Sequence, residues 1–221
     1  LEGIDLGLAA GESLSLIGRN GVGKSTLLAT IMGHTTLHAG EIALEGRRID
    51  RVPVHRRALG GLGFVPQERE IFPSLSVREN LEICARPGHW TAPRVFELFP
   101  NLKTRLENAG SQLSGGEQQM LAIARALMTN PSVLLMDEPT EGLAPVIVQA
   151  LAQVLARLHG EGGLSIILVE QNSRVALAFS ERTVVMDKGR IVYDGAYVRL
   201  QDDPELLASL ITPCQYKQYV T

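Results

Sequence analysis

Apolar residues follow two rhythms along this chain. Short segments dominated by apolar residues at Ser13 to Ile17, Gly61 to Val65, Val133 to Met136 and Leu164 to Val169 read as buried strands. Spacings of three and four residues predict helices at Lys24 to Met32, Glu117 to Met128 and Pro145 to Leu158. In the last of these, Ile147, Leu151, Val154, Leu155 and Leu158 share one face, and Pro145 stands in the first turn, where its missing N–H costs nothing. Gly33 stops the first helix, and Asn130-Pro131 stops the second. Glu41 to Leu44 and Arg47 to Ile49 flank a Glu-Gly pair and predict a short hairpin. Thr183 to Met186 and Arg190 to Tyr193 predict another, turning at Asp187-Lys188-Gly189. Asp203-Pro204 opens a last helix. Strands alternating with helices predict an α/β fold, a mainly parallel sheet covered on both faces with a small antiparallel part.

From Gln67 the texture changes. Pro66, Pro73, Pro87, Pro93 and Pro100 separate short amphipathic helices, one of which starts at a Ser76/Glu79 capping box. This stretch predicts an inserted helical lobe over residues 67–117, within a single domain spanning 1–221.

Composition narrows the class. A chain of 221 residues with 45% hydrophobic content supports a full core. A net charge of -3 offers no general attraction to nucleic acid or anionic lipid. No apolar run approaches the length of a membrane span. Cys84 and Cys214 lack metal-type spacing and read as free thiols of a reducing compartment. No secretory leader pattern occurs, and the chain opens at Leu1 without a Met, so residues preceding it are expected.

Candidate chemistry begins at GRNGVGKST. Gly18, Gly21, Gly23, Lys24 and Ser25 fit G-x-x-x-x-G-K-[ST] in full, between a strand and a helix. Glycines let backbone N–H groups turn inward around phosphate oxygens, and the following helix aims its positive end at the anion. Lys24 would reach the β- and γ-phosphates and Ser25 would offer its hydroxyl to Mg²⁺. The whole loop of Gly18, Arg19, Asn20, Gly21, Val22, Gly23, Lys24, Ser25 and Thr26 is the expected ATP-binding segment. Downstream, the apolar run Val133 to Met136 delivers Asp137 and Glu138 to a strand end, where ligands of such sheets bind. Asp137 would hold Mg²⁺, and Glu138 would polarise the attacking water as general base.

A third motif, LSGGE at Leu113 to Glu117, makes Ser114 a helix N-cap, with Gly115 and Gly116 leaving that helix end bare, as suits an anion. The phosphate loop, LSGGE and VLLMDE, in this order, resemble the ATP-binding cassette (ABC) ATPases over essentially the whole chain. The resemblance implies a RecA-like P-loop NTPase core. It also implies a head-to-tail pair in which Ser114, Gly115 and Gly116 of one subunit close over ATP held by the other. Gln67, in FVPQ, falls where the family has a glutamine that senses Mg²⁺ and the γ-phosphate. Residues 68–72 would then lie near a membrane subunit.

Two positions depart from the family pattern. Gln171, in VEQN, stands where a switch histidine is usual; it can position a γ-phosphate or water but cannot take a proton. Ala144, in EPTEGLAP, replaces a common aspartate. His159 comes too early for the switch and reads as a helix-end residue near the negative dipole. The family's adenine-stacking aromatic lies before the first strand, and residues 1–17 contain none. EPTEGLAP, VEQN and VPQEREIFPSLSVRENL are similar to the ATP-binding subunits of branched-chain amino acid importers. Urea and short-amide importers share much of this wording.

The resemblance therefore implies an ATP hydrolase with catalytic residues Glu138, Gln67 and Gln171 and an Mg²⁺ set of Ser25, Gln67 and Asp137. Its expected place is the cytoplasmic face of a bacterial inner membrane. Its expected partners are a second cassette, membrane permeases and, indirectly, a periplasmic solute-binding protein, with no nucleic acid. A soluble cassette acting on DNA or ribosomes would show a coiled-coil insertion, tandem cassettes or a basic face. A non-hydrolysing regulatory subunit would not keep Lys24, Ser25, Asp137 and Glu138 together.

Overall fold

In a computed structural model, residues 1–159, 161 and 163–211 are described. The first strand, β1 (Ser13–Ile17), is buried along its whole length and runs through a glycine loop into α1 (Lys24–Met32). A two-stranded sheet follows, β2 (Ala43–Leu44) and β3 (Arg47–Arg48), turning at Glu45 and Gly46 with positive φ. Then come α2 (Val54–Leu59) and β4 (Leu62–Val65). Three short helices, α3 (Val77–Glu82), α4 (Ala92–Leu98) and α5 (Pro100–Lys103), precede the long α6 (Gly115–Met128). The chain continues through β5 (Val133–Asp137), α7 (Pro145–Leu158), β6 (Ser165–Glu170) and α8 (Ser173–Phe179). It ends with β7 (Arg182–Asp187), β8 (Arg190–Ala196), α9 (Tyr197–Asp202) and α10 (Pro204–Ile211).

The main sheet has the order β4-β5-β6-β1-β7-β8. Every pairing is parallel except β7 with β8. Parallel strands share a direction, so β4, β5, β6 and β1 all finish at one edge. Their registers keep the ends level: Ile17 pairs with Glu170, Asp137 with Val169 and Val65 with Met136. The ends of these four strands and the loops after them carry the phosphate loop, Gln67, the acidic pair and Gln171, so candidate residues far apart in sequence come to one edge of the sheet.

Alternation along doubly covered strands divides the core between the two faces. Leu134, Met136, Ile166 and Leu168 belong to a cluster with α6, α7 and α3 to α5. Leu135, Ile167 and Val169 belong to a second cluster with Leu27, Leu28 and Met32 of α1. Helix α6 is buried almost all round because sheet, α7 and short helices enclose it; Met120, Leu121, Ile123 and Leu127 lie in the same cluster as Trp90, Val95, Phe99 and Leu102.

Asn130 ties the end of α6 to the loop before α4. It adopts φ 53°, its Nδ2 donates to the Arg86 and Trp90 carbonyls at 2.8 and 3.0 Å, and its Oδ1 accepts the Trp90 N–H at 2.6 Å.

Several boundaries shift from the sequence expectation. The β7–β8 turn is a two-residue one at Lys188 and Gly189, both with positive φ, because Asp187 still pairs with Arg190. Helix α6 begins two residues before Glu117, its first two residues being the glycines of the capping box. Helices α2, α8 and α9 were not legible beforehand, since none is long enough to establish a period. Cys84 is a free thiol whose titration burial pushes upward; Cys214 lies outside the described residues.

Candidate nucleotide site

Strand β1 stops at Ile17 and the chain turns at Gly18, φ 155°, where a Cβ would stand 2.5 Å from the Met186 carbonyl oxygen of β7. Only glycine allows the loop to approach the sheet so closely. Gly23, φ 109°, is the N-cap of α1 and contributes no capping side chain. The first-turn N–H groups therefore keep their capacity for an external acceptor.

Lys24 folds back into this loop. It is 4% exposed, and its Nζ donates to the Gly18 and Arg19 carbonyls at 2.9 and 3.1 Å. The same Nζ lies 3.1 Å from Glu138 Oε1. Glu138 follows β5 with φ 45°, a left-handed backbone that costs a non-glycine residue about 1–2 kcal/mol. Its N–H donates to the Val169 carbonyl at 2.9 Å, which helps hold that geometry.

Asp137, at the last position of β5, is 5% exposed, and its Oδ1 has no hydrogen-bond partner among the described residues. Burial pushes its carboxyl above the usual range, while the Ser25 hydroxyl works against that shift. An orphaned, buried carboxylate oxygen beside the Ser25 hydroxyl is a donor set suited to a hard cation. Both carboxylates are thus enclosed.

Gln67 Nε2 donates to Glu141 Oε2 across the same opening. A cavity of about 250 Å³ is lined by Asn20, Gly21, Gly23, Lys24, Ser25 and Thr26 of the loop, with Gln67 and Glu138. Gly18 and Arg19 contribute through their carbonyls to Lys24. Val22 is 9% exposed, packs into the core, and its carbonyl accepts the Gly189 N–H at 2.8 Å. A larger cavity, about 580 Å³, lies among α7, α8 and α9 and holds none of these groups; His159 lines it.

Ser114 caps α6 reciprocally. Its Oγ accepts the Glu117 N–H at 3.3 Å, while Glu117 Oε2 accepts the Ser114 N–H at 2.8 Å. These bonds from Ser114 hold the Glu117 carboxyl below its ordinary range. The helix end is less bare than expected. A Cβ on Gly115 would stand 3.2 Å from the Arg69 guanidinium, and one on Gly116 would stand 2.8 Å from Ile147. Ser114, Gly115 and Gly116 do not line the cavity of their own chain, and neither does Gln171, which is exposed.

The family model described as ABC transporter matches residues 1–141. The chain belongs to the ABC transporter family. It is 40% identical over 214 residues to the high-affinity branched-chain amino acid transport ATP-binding protein BraG of Pseudomonas aeruginosa, covering 93% of this chain and 90% of that one. It is 32% identical over 211 residues to the lipopolysaccharide export system ATP-binding protein LptB of Escherichia coli K12, covering 92% and 87%. Among solved structures, the dimeric cassette MJ0796 in a post-hydrolysis state bound to ADP and Pi superposes with a TM-score of 0.78 at 28% identity, covering 89% and 90%.

This cassette is therefore an ABC-type ATPase, the nucleotide-binding subunit of a transporter. Sequence reasoning missed two of its site residues. Glu141 binds Gln67, although it reads as an ordinary polar residue of EPTEGLAP. Glu170 is 2% exposed at the end of β6. Burial pushes its carboxyl up to about 7, against the pull of the Thr140 hydroxyl and N–H. A signal existed: Glu170 directly continues the apolar run Ile166 to Val169, as Asp137 continues Val133 to Met136.

Proposed function

We propose that this cassette hydrolyses ATP to drive import of branched-chain amino acids through separate permeases. One observation carries the reading: Lys24, Ser25 and Glu138 line one cavity, with the buried Asp137 beside Ser25, in a chain 40% identical to BraG along nearly its full length. The 32% identity to an export cassette is weaker, and VEQN with EPTEGLAP supports the importer assignment.

The loop amides from Gly18 to Thr26 would bind the ATP phosphates. Lys24 is already desolvated there and would exchange its carbonyl partners for β- and γ-phosphate oxygens. That exchange would release Glu138 from its ion pair and leave a carboxylate facing the terminal phosphoryl group, able to take a proton from the attacking water. Ser25 Oγ, Asp137 Oδ1 and the Gln67 amide oxygen would hold Mg²⁺, which neutralises charge developing on the phosphates. Among the described residues no cluster of three or more His, Cys, Asp or Glu forms a metal cage, as suits an ion bound chiefly through its nucleotide. Gln171 would orient a γ-phosphate oxygen or water without carrying a proton.

Closure over ATP would come from a second cassette, whose Ser114, Gly115 and Gly116 supply an uncharged helix end to the terminal phosphate. The absence of these residues from their own chain's cavity supports that arrangement, as does the dimeric MJ0796 structure. Residues 67–117 would act as a lobe that carries Ser114 toward its partner and meets the permeases. The assembly would sit at the cytoplasmic face of the inner membrane and receive solute from a periplasmic binding protein. Among the described residues no helix is long and apolar enough to cross a membrane.

The test is ATPase activity of the cassette reconstituted with its permeases and binding protein. Leucine, isoleucine or valine should stimulate it. Stimulation by urea or short amides alone would reassign the solute, and stimulation by none would overturn the importer reading.

A further inference from the structure

Two adjacent residues at the end of β6 hold the turn that carries Glu138. The Val169 carbonyl accepts the Glu138 N–H at 2.9 Å, and Glu170 Oε1 accepts the Thr140 N–H at 3.1 Å. Between those two bonds lies the left-handed residue, φ 45°. Such a conformation persists only where its surroundings over-determine it. The turn closes further on, where the Glu141 N–H donates to the Glu138 carbonyl at 3.1 Å.

Glu170 is a costly way to supply hydrogen-bond acceptors to this turn. It is 2% exposed and makes no salt bridge among the described residues. Its four predecessors in β6, Ile166 to Val169, are apolar and buried, so an apolar side chain would fill the strand end without desolvating a carboxylate. Lys24, the cation of this region, is engaged by Glu138. The shift of the Glu170 carboxyl to about 7 reflects the same unfavourable burial.

We propose that Glu170 is a positioning residue for ATP hydrolysis: by fixing the Thr140 N–H it sets the direction in which Glu138 presents its carboxylate to the nucleotide cavity. Glu170 does not line that cavity and touches no reacting atom. The proposal rests on the reading of Glu138 as general base.

The experiment compares Glu170→Leu, Glu170→Gln and Glu138→Gln in the full chain, measuring turnover and, separately, ATP affinity by calorimetry. Glu170→Leu removes the acceptor and the buried charge together. It should lower kcat about 10- to 100-fold, the usual effect of misplacing a catalytic group by about 1 Å, with ATP affinity unchanged. Glu170→Gln keeps an amide oxygen for Thr140 and should recover most of that loss. A folded, fully active Glu170→Leu overturns the proposal, as does a Glu170→Gln as slow as Glu170→Leu. Should Glu170→Leu fail to fold, Glu170→Asp, which draws the acceptor back by one methylene, takes its place under the same criterion. Glu138→Gln separates the two failures. If it turns over normally, the base assignment falls; if it is inactive while Glu170→Leu is normal, only the positioning role falls.

Discussion

At the scale of single residues, this site is a balance of buried charge. Lys24, Asp137, Glu138 and Glu170 are each at most 7% exposed, and the only cation among them is shared by carbonyls and Glu138. Glu170 makes the imbalance measurable. Its carboxyl titrates near 4.5 when unfolded and near 7 when folded, so the folded state binds the extra proton. Stability from this group is complete below pH about 4.5, declines as pH rises toward about 7, and stays lost above it. Glu170→Gln removes the titration. Its stability advantage over the native chain should therefore grow between pH 5 and pH 8, by up to about 3 kcal/mol, since each tenfold change in proton affinity is worth about 1.4 kcal/mol. Denaturation at both pH values checks this; an advantage independent of pH would contradict the assigned titration. The motif residues were legible because their chemistry dictates spacing, as in G-x-x-x-x-G-K-[ST]. The partners of Glu170 and Glu141 were not, because each acts on a residue at least 30 positions away.

At the scale of elements, long periodic segments were read closely and short ones were not. β1, α1 and α7 have the limits their patterns predict, since each buries a continuous face. Helices α2, α8 and α9 are set by what they pack against. Arg57 in α2 illustrates this: its guanidinium donates to the Thr30 and Ile31 carbonyls at the end of α1, a tertiary contact without local signal. Asn130 is the comparable tie between α6 and the loop before α4. Asn130→Ala should cost about 2–4 kcal/mol, combining an unfavourable positive φ with the buried Trp90 N–H and two carbonyls left unpaired. Urea denaturation measures it, and a loss near zero would show that the loop anchors itself elsewhere.

At the scale of the whole molecule, parallel pairing matters most. Four strand ends finish at one edge, so Gly18, Gln67, Glu138 and Gln171, spread over about two thirds of the chain, all follow strands at that edge, and Gln67 and Glu138 line the cavity. Ser114 stands apart from that cavity, and the proposed function makes it the contribution of a neighbour. Ser114→Arg should leave ATP binding by a single chain intact and block ATP-driven dimerisation, because a bulky cation would occupy the helix end proposed to meet the partner's ATP. Light scattering with ATP distinguishes the outcomes; dimers forming normally would place the partner contact elsewhere.

The sequence by itself determined the phosphate loop, the acidic strand end, the capped signature helix and the alternation that makes an α/β fold. These depend on local backbone requirements and on period, which a linear string contains. Tertiary structure decided the strand order, the pairing of Lys24 with Glu138, the engagement of Gln67 by Glu141 and the burial of Glu170 beneath the turn at Thr140. Each of these joins residues whose proximity follows only from packing strands of distant origin side by side, and no local preference encodes it.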